Sequence, residues 1–147
     1  MIRKATAHDV PALIAIGKEM HAESWYAYLD FDADKLATVL LRLIDTGFLE
    51  VSERDGEIDG GMAGIISEMW FCRELIASDL ALFVRPGKRG SIAAARLVER
   101  FVGWARWKGA VEVNLGISTG VRKEETGRLY EAFGCTHVGG IYKLRVT

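Results

Sequence analysis

Leu80 to Leu97 is the stretch that most narrows the choice of fold. An apolar run, Leu80 to Val84, gives way to Arg85-Pro86-Gly87-Lys88-Arg89-Gly90-Ser91, and a helical pattern follows. Its apolar residues recur at Ala94, Leu97, Val98, Phe101, Val102 and Ala105, with Arg96, Glu99, Arg100 and Arg106 opposite. A strand, a tight turn and an amphipathic helix account for this order. The first turn of such a helix presents unpaired N–H groups and the positive end of the dipole, so it suits an anion. Gly90, Ser91 and the small residues Ala93 to Ala95 allow a ligand close to the backbone. Lys88 and Arg89 add positive charge, and a phosphate or pyrophosphate is the natural guest. A basic connection in an ordinary α/β domain would carry the same features, so the rest of the chain must decide.

Ile2 to Thr6 reads as a short strand. Thr6 or His8-Asp9 can cap a helix that carries Pro11 in its first turn and runs to about Met20. His21 to Phe31 is aromatic and irregular, with Trp25, Tyr26, Tyr28 and Phe31. Asp32-Ala33-Asp34 is a cap for a second helix to about Asp45, whose buried stripe is Leu36, Val39, Leu40, Leu43 and Ile44. Phe48 to Ser52 alternates as a strand, Arg54-Asp55-Gly56-Glu57 is hairpin chemistry, and Ile58 to Ile66 returns with Gly60, Gly61 and Gly64 inside it. A further strand spans Ile76 to Val84. Val111, Val113, Leu115 and Ile117 alternate with polar residues or glycine as the next strand. A helix from about Arg122 to Phe133 ends at Gly134. Thr136 to Val146 is predicted as the last strand, bent at Gly139-Gly140. The order β-α-α-β-β-β-α-β-α-β makes one α/β domain over 1–147, with a mixed sheet and about four helices.

Composition excludes several classes. The 147 residues are half hydrophobic and 27% charged, with a net charge of −1. Such a chain is globular and buries roughly 68–70% of its unfolded surface. No basic run exceeds three residues, which argues against a nucleic-acid binder. No apolar run nears the roughly 20 residues of a membrane span, and Met1 to Thr6 has no apolar signal core. Cys72 and Cys135 form no CxxC, so a reduced cytoplasmic protein is expected. His8, His21, His137 and the cysteines show no metal spacing. The loop is no P-loop, and there is no Gly-x-Ser-x-Gly elbow.

Three stretches together resemble the GCN5-related N-acetyltransferases, the GNAT family. Val84-Arg85-Pro86, then Arg89-Gly90-Ser91-Ile92-Ala93-Ala94, is similar to that family's Gln/Arg-x-x-Gly-x-Gly/Ala loop, with Ile92 in place of the central glycine. Ile2-Arg3-Lys4-Ala5-Thr6-x-x-Asp9 resembles a common start, and Leu129-Tyr130-Glu131-Ala132-Phe133-Gly134-Cys135 looks like the Leu-Tyr-Glu-x-x-Gly-Phe signature, with Cys135 for Phe. Lys123 stands where that family often has Asn. The short form also resembles bacteriophage and prophage members. The element order is the family's own, so the resemblance covers almost the whole chain.

The resemblance implies acetyl-CoA as co-substrate. Lys88 to Ala94 would then hold the pyrophosphate, and the backbone of Leu82, Phe83 and Val84 the pantetheine arm. Tyr130 falls on the tyrosine that protonates the leaving thiolate; a phenol near pKa 10 suits a thiolate near 8.5. Asp79, the only acid between Ile76 and Val84, is the candidate base, although simple alternation turns it to solvent if Leu80 and Leu82 point inward. Trp25, Tyr26 and Tyr28 are either an acceptor wall or a cover for the sheet. The acceptor would be an amine, on a small molecule or a protein, taken by direct attack in a ternary complex, and a homodimer is allowed. A non-catalytic binding module on the same fold, motivated by Ile92 and the lack of an obvious base, and a regulator binding ATP or NAD are the rival readings.

Overall fold

The computed structural model describes residues 1–88 and 92–147. Among the described residues five strands form one sheet in the order β1-β2-β3-β4-β5: β1 is Ile2–Lys4, β2 Phe48–Arg54, β3 Glu57–Glu68, β4 Leu75–Val84 and β5 Glu112–Asn114. The first three pairings are antiparallel and β4–β5 is parallel. The α-helices among the described residues are α1 Val10–Glu23, α2 Ala33–Thr46, α3 Ala93–Trp107 and α4 Lys123–Ala132. Among the described residues no helix is long and apolar enough to cross a membrane.

The strands alternate between two cores. Leu49, Val51 and Ala63 face α1 and α2, against Leu13, Ile16, Leu40 and Leu43. Phe48, Met62 and Ala77 face α3 and α4, against Leu97, Val98, Phe101 and Tyr130. Burial on both faces suits a central sheet covered by helices. Local chemistry sets the ends. Asp32 accepts from the backbone of Lys35 to start α2, and Asp55 and Gly56 both take positive φ at the β2–β3 turn, as a primed hairpin requires. Asp9 accepts from the Thr6 N–H and pairs with Arg3, which also reaches Glu53, so one guanidinium ties β1 to β2 and to the approach to α1. Burial of Glu50 in β2 is balanced by Arg100 of α3, at 2.5 and 2.9 Å.

Two glycines of β3 are explained by rings. Phe83 lies against Gly61, where an added Cβ would come within 2.8 Å of its ring. At Gly64 a Cβ would sit 2.3 Å from Phe101. Low strand propensity is therefore exchanged for close aromatic packing on both faces.

Two expectations are corrected. The strand expected over Val111 to Ile117 is laddered only at Glu112–Asn114; Val111 is exposed, while Leu115 and Ile117 pack toward α3 and α4 after the chain has left β4. The last strand, Thr136 to Val146, is absent as a paired strand: 135–147 runs without a ladder. Its pattern is strand-like, but Lys143 and Arg145 turn inward onto aromatic rings while Tyr142, Leu144 and Val146 stay in water. Side-chain contacts, and no strand edge, hold this tail.

Gly64→Ala forces the new methyl into Phe101, with the backbone oxygen of Ser78 at 3.1 Å closing the other side. We expect a loss of about 1–3 kcal/mol, the range of overpacked cores, read as a lower urea midpoint at unchanged slope.

Candidate active site

The site begins with a departure from alternation. Ala63 faces Ala81 across the β3–β4 ladder, but the next residue, Gly64, faces Asp79. Leu80 is therefore an extra residue, a bulge, and it points to water at 53% exposure. The bulge reverses the phase of β4, so Ala77, Asp79 and Leu82 all lie on the α3–α4 face. This overturns the expectation that an inward Leu82 sends Asp79 to solvent.

Beyond the bulge the sheet opens. The β4–β5 ladder ends at Ser78 and Asn114. From Asp79 to Phe83, β4 has no strand on that side among the described residues. A cleft of about 500 Å³ occupies the divergence. It is lined by Leu82, Phe83 and Val84 of β4, by Ala94 and Ala95 of α3, by Glu19, Met20 and Glu23 of α1, and by Thr119, Val121, Arg122, Glu125 and Leu129 from the α4 side. Glu19 pairs with Arg85 at 3.6 Å across it. Arg122 holds a left-handed backbone, φ 47°, just before α4, a conformation rare outside glycine.

The N-terminus of α3 enters this cleft with no side-chain cap: apolar Ile92 takes the cap position. Its side chain is 62% exposed and lies outside the lining, so it leaves the cleft open. Ala94 and Ala95 line the wall, whereas Ala93 is buried against the sheet. Lys88 closes a 3-10 turn, Pro86–Lys88, is exposed, and does not line the cleft. Arg89, Gly90 and Ser91 lie outside the described residues.

Asp79 and Tyr130 meet at the backbone of one residue, Gly116. The Gly116 N–H donates to Asp79 Oδ1 at 3.0 Å, and the Tyr130 hydroxyl points at the Gly116 carbonyl at 3.5 Å. Burial pushes the Asp79 carboxyl above its ordinary range, against the Gly116 hydrogen bond, which lowers it. Burial, then the charge of Asp79, raises the Tyr130 phenol, so it stays protonated at neutral pH. Neither side chain is part of the cleft lining; Tyr130 is 6% exposed, in the core beside α3.

The aromatic residues are placed by a 3-10 turn, Trp25–Tyr28, capped by the Ser24 hydroxyl. Trp25 N–H donates to the Thr119 carbonyl at 2.8 Å, which fixes the turn at the rim of the cleft. Trp25 and Tyr28 remain 42% and 49% exposed, so covering the sheet is not their role. They lie next to the cleft rather than in its wall. Lys143 donates to the Tyr26 hydroxyl at 2.6 Å and to the Ser118 carbonyl, and the hydrogen bond from Lys143 holds the Tyr26 phenol below its usual range. Sequence reasoning missed Glu19, Glu125, Arg122, Lys143 and Arg145. Helical spacing of Glu19 and Glu23 on one face was the signal for the first; the others depend on how distant segments meet. Among the described residues, no group of three or more His, Cys, Asp or Glu is placed to hold a metal ion.

No protein-family model matches the sequence, and no curated protein does. Solved structures do match its fold. An acetyltransferase of Trypanosoma brucei superposes with a TM-score of 0.74 at 17% identity, over 99% of both chains. AAC(6')-Iy, in complex with the bisubstrate analog CoA-S-monomethyl-acetylneamine, gives 0.75 at 16% identity, over 100% of this chain and 97% of that one. An aminoglycoside acetyltransferase, from an uncultured soil metagenomic sample and in complex with sisomicin, gives 0.72 at 16%, over 100% and 95%. The chain has the fold of the GNAT acetyltransferases.

A buried carboxyl with a raised pKa stabilises the fold below the unfolded value, about pH 4, and that contribution is lost as pH rises through the folded value. Asp79→Asn should remove this loss. The variant should match the native chain below about pH 4 and exceed it in stability at pH 7, as checked by urea midpoints across the range.

Proposed function

We propose that the chain is an N-acetyltransferase that moves the acetyl group of acetyl-CoA to an amine by direct attack in a ternary complex. The observation that carries this reading is the cleft where β4 and β5 diverge, entered by the small-residue start of α3. It offers a strand side without a partner strand, a helix N-terminus and a wall of alanines, which together fit a long, thin, phosphate-bearing molecule. The open position of Ile92 and the basic side chains of Arg85 and Arg122 agree with that fit. The CoA bisubstrate analog bound by AAC(6')-Iy, a protein of like fold, supports it further.

Acetyl-CoA, when bound, supplies the activated thioester. The chain's own residues do the rest. Leu82 and Phe83 offer backbone groups to the arm, and an N–H there is aimed to polarise a carbonyl. Asp79, with its raised pKa, accepts a proton from the acceptor ammonium, directly or through water. Tyr130 keeps its proton until a thiolate departs and then donates it. Gly116 holds both groups, one through its N–H and the other through its carbonyl. Glu23 and Glu125 line the cleft beside the Glu19–Arg85 pair, and their carboxylates suit a cationic acceptor.

Burial of Tyr130 favours a second reading, a GNAT-fold binding module without turnover. Calorimetry separates the two. Acetyl-CoA and CoA should bind at micromolar affinity, ATP and NAD far more weakly, and Arg89→Ala should weaken CoA about tenfold. Tyr130→Phe should lower turnover by roughly 10²-fold, as loss of a general acid does, while CoA binding stays intact. Binding without turnover of any amine would support the module. No CoA binding at all would sink the transferase reading.

A further inference from the structure

At the end of the sheet away from the cleft, β3 and β4 run on past the start of β2. Phe48 of β2 faces Gly64, so Ile65 to Glu68 pair with β4 and not with β2. These four residues carry the β3–β4 hairpin about 13 Å beyond β2, at roughly 3.3 Å per residue. The Met69 N–H donates to the Glu74 carbonyl at 3.3 Å and closes the turn. Trp70 and Phe71 stand at its tip, 90% and 66% exposed, with ring centroids 5.1 Å apart and planes at 87°. α3, which starts at the cleft, ends on this side. Its last residue, Trp107, is 78% exposed. The chain then turns at Gly109, and the Val111 N–H donates to the Leu75 carbonyl, so exposed Val111 abuts the foot of the hairpin. None of these side chains belongs to either core.

Three large rings left in water need a reason beyond folding. Whole aromatic side chains bury roughly 150–250 Å² each, so the exposed fractions of Trp70, Phe71 and Trp107 leave about 450 Å² for a partner. With the polar chains around them, the face approaches the roughly 800 Å² that each side of a stable dimer gives up. Its charge is mixed. Arg73, Lys108, Glu68 and Glu74 are all exposed, and none of them forms an ion pair among the described residues. A face with both signs offers no advantage to a partner of one sign, but it complements its own copy turned through a twofold axis. The formal net charge of −1 leaves little repulsion between copies.

We propose that the hairpin tip and the end of α3 are an interaction surface for a second copy of this chain, with Trp70 and Trp107 as its anchors. The contact is isologous, and the basic side chains of each copy meet the acidic ones of the other. Both clefts stay open, because β4 and α3 run from this face to the cleft at the opposite end. The proposal does not depend on acetyl transfer.

Sedimentation equilibrium at roughly 1 to 100 μM, around a micromolar Kd, tests it. The native chain should sediment at twice its own mass. Trp70→Glu should weaken the pair at least about thirtyfold, as loss of an interface anchor does, with an unchanged urea midpoint. Leu144→Ser/Val146→Ser, on the exposed tail, should leave the pair intact. Arg73→Glu/Lys108→Glu and Glu68→Lys/Glu74→Lys should each be monomeric alone and should pair when mixed, which also shows that both fold. A native chain that is monomeric throughout the range overturns the proposal. So does a dimer that survives Trp70→Glu, a dimer lost with the tail variant, or charge variants that do not pair on mixing. A monomer that floats with phosphatidylcholine vesicles through Trp70 assigns the face to a lipid surface instead.

Discussion

One extra residue in β4 sets the geometry of everything around it. Leu80 has no partner in β3, and the ladder must absorb it at the point where β4 also loses β5. The bulge turns Asp79 to the α3–α4 side. The loss of β5 leaves a wedge that only loops and helix ends border. Had the alternation run on, the carboxylate would face away from Tyr130 and Gly116. Had β5 run on, hydrogen bonds would close the wedge. Cleft and buried carboxylate thus come from one local irregularity, and two-sided packing of the sheet keeps that irregularity from slipping.

Much of the fold was legible because its signals are local. Asp32 as a cap, Asp55-Gly56 as a turn, Pro11 in a first helical turn and the apolar stripe of α3 each need only neighbours along the chain to be read. The order of elements along the chain as far as α4 could be anticipated from the alternation of periods. What escaped was decided by distant contacts. The bulge at Leu80 leaves no mark in sequence, since every residue from Ile76 to Val84 suits a strand. The last strand was misread because Ile141 to Val146 has the right alternation, yet its polar members found rings to sit on and its apolar members found nothing. Of the candidate site, Asp79, Tyr130, Ala94 and the start of α3 could be named in advance. The acids of α1 that line the cleft carried only their helical spacing as a signal, because what that face meets depends on distant segments.

Charge in this protein is spent mostly on joining elements. Arg3 gathers Asp9 and Glu53, Arg100 meets the buried Glu50, and Arg85 reaches Glu19. Each guanidinium bridges elements far apart in sequence, and the planar fork of Arg suits that task better than the point charge of Lys. Glu50 shows what is at stake. Its carboxylate is inside the sheet–helix layer, so Arg100 must stay over it, and this fixes where α3 lies along the strands. Since α3 starts at the cleft, an ion pair remote from the chemistry helps to set the position of the helix end that faces it.

The brevity of β5 has a consequence for motion. Three residues of parallel ladder are the last sheet hydrogen bonds in the chain. Everything after Asn114, which includes Gly116, Thr119, Arg122, α4 and the tail, is attached by side-chain packing and a few loop contacts. Protection against local opening follows hydrogen-bonded, buried backbone, so amides of β2, β3 and α3 belong to the most slowly exchanging part of the molecule and those beyond β5 to the fastest. One wall of the cleft is the laddered sheet, and the other is a segment that joins it through side chains alone, Tyr130 foremost among them. A long ligand can therefore meet β4 from the side, where no strand has to be displaced among the described residues.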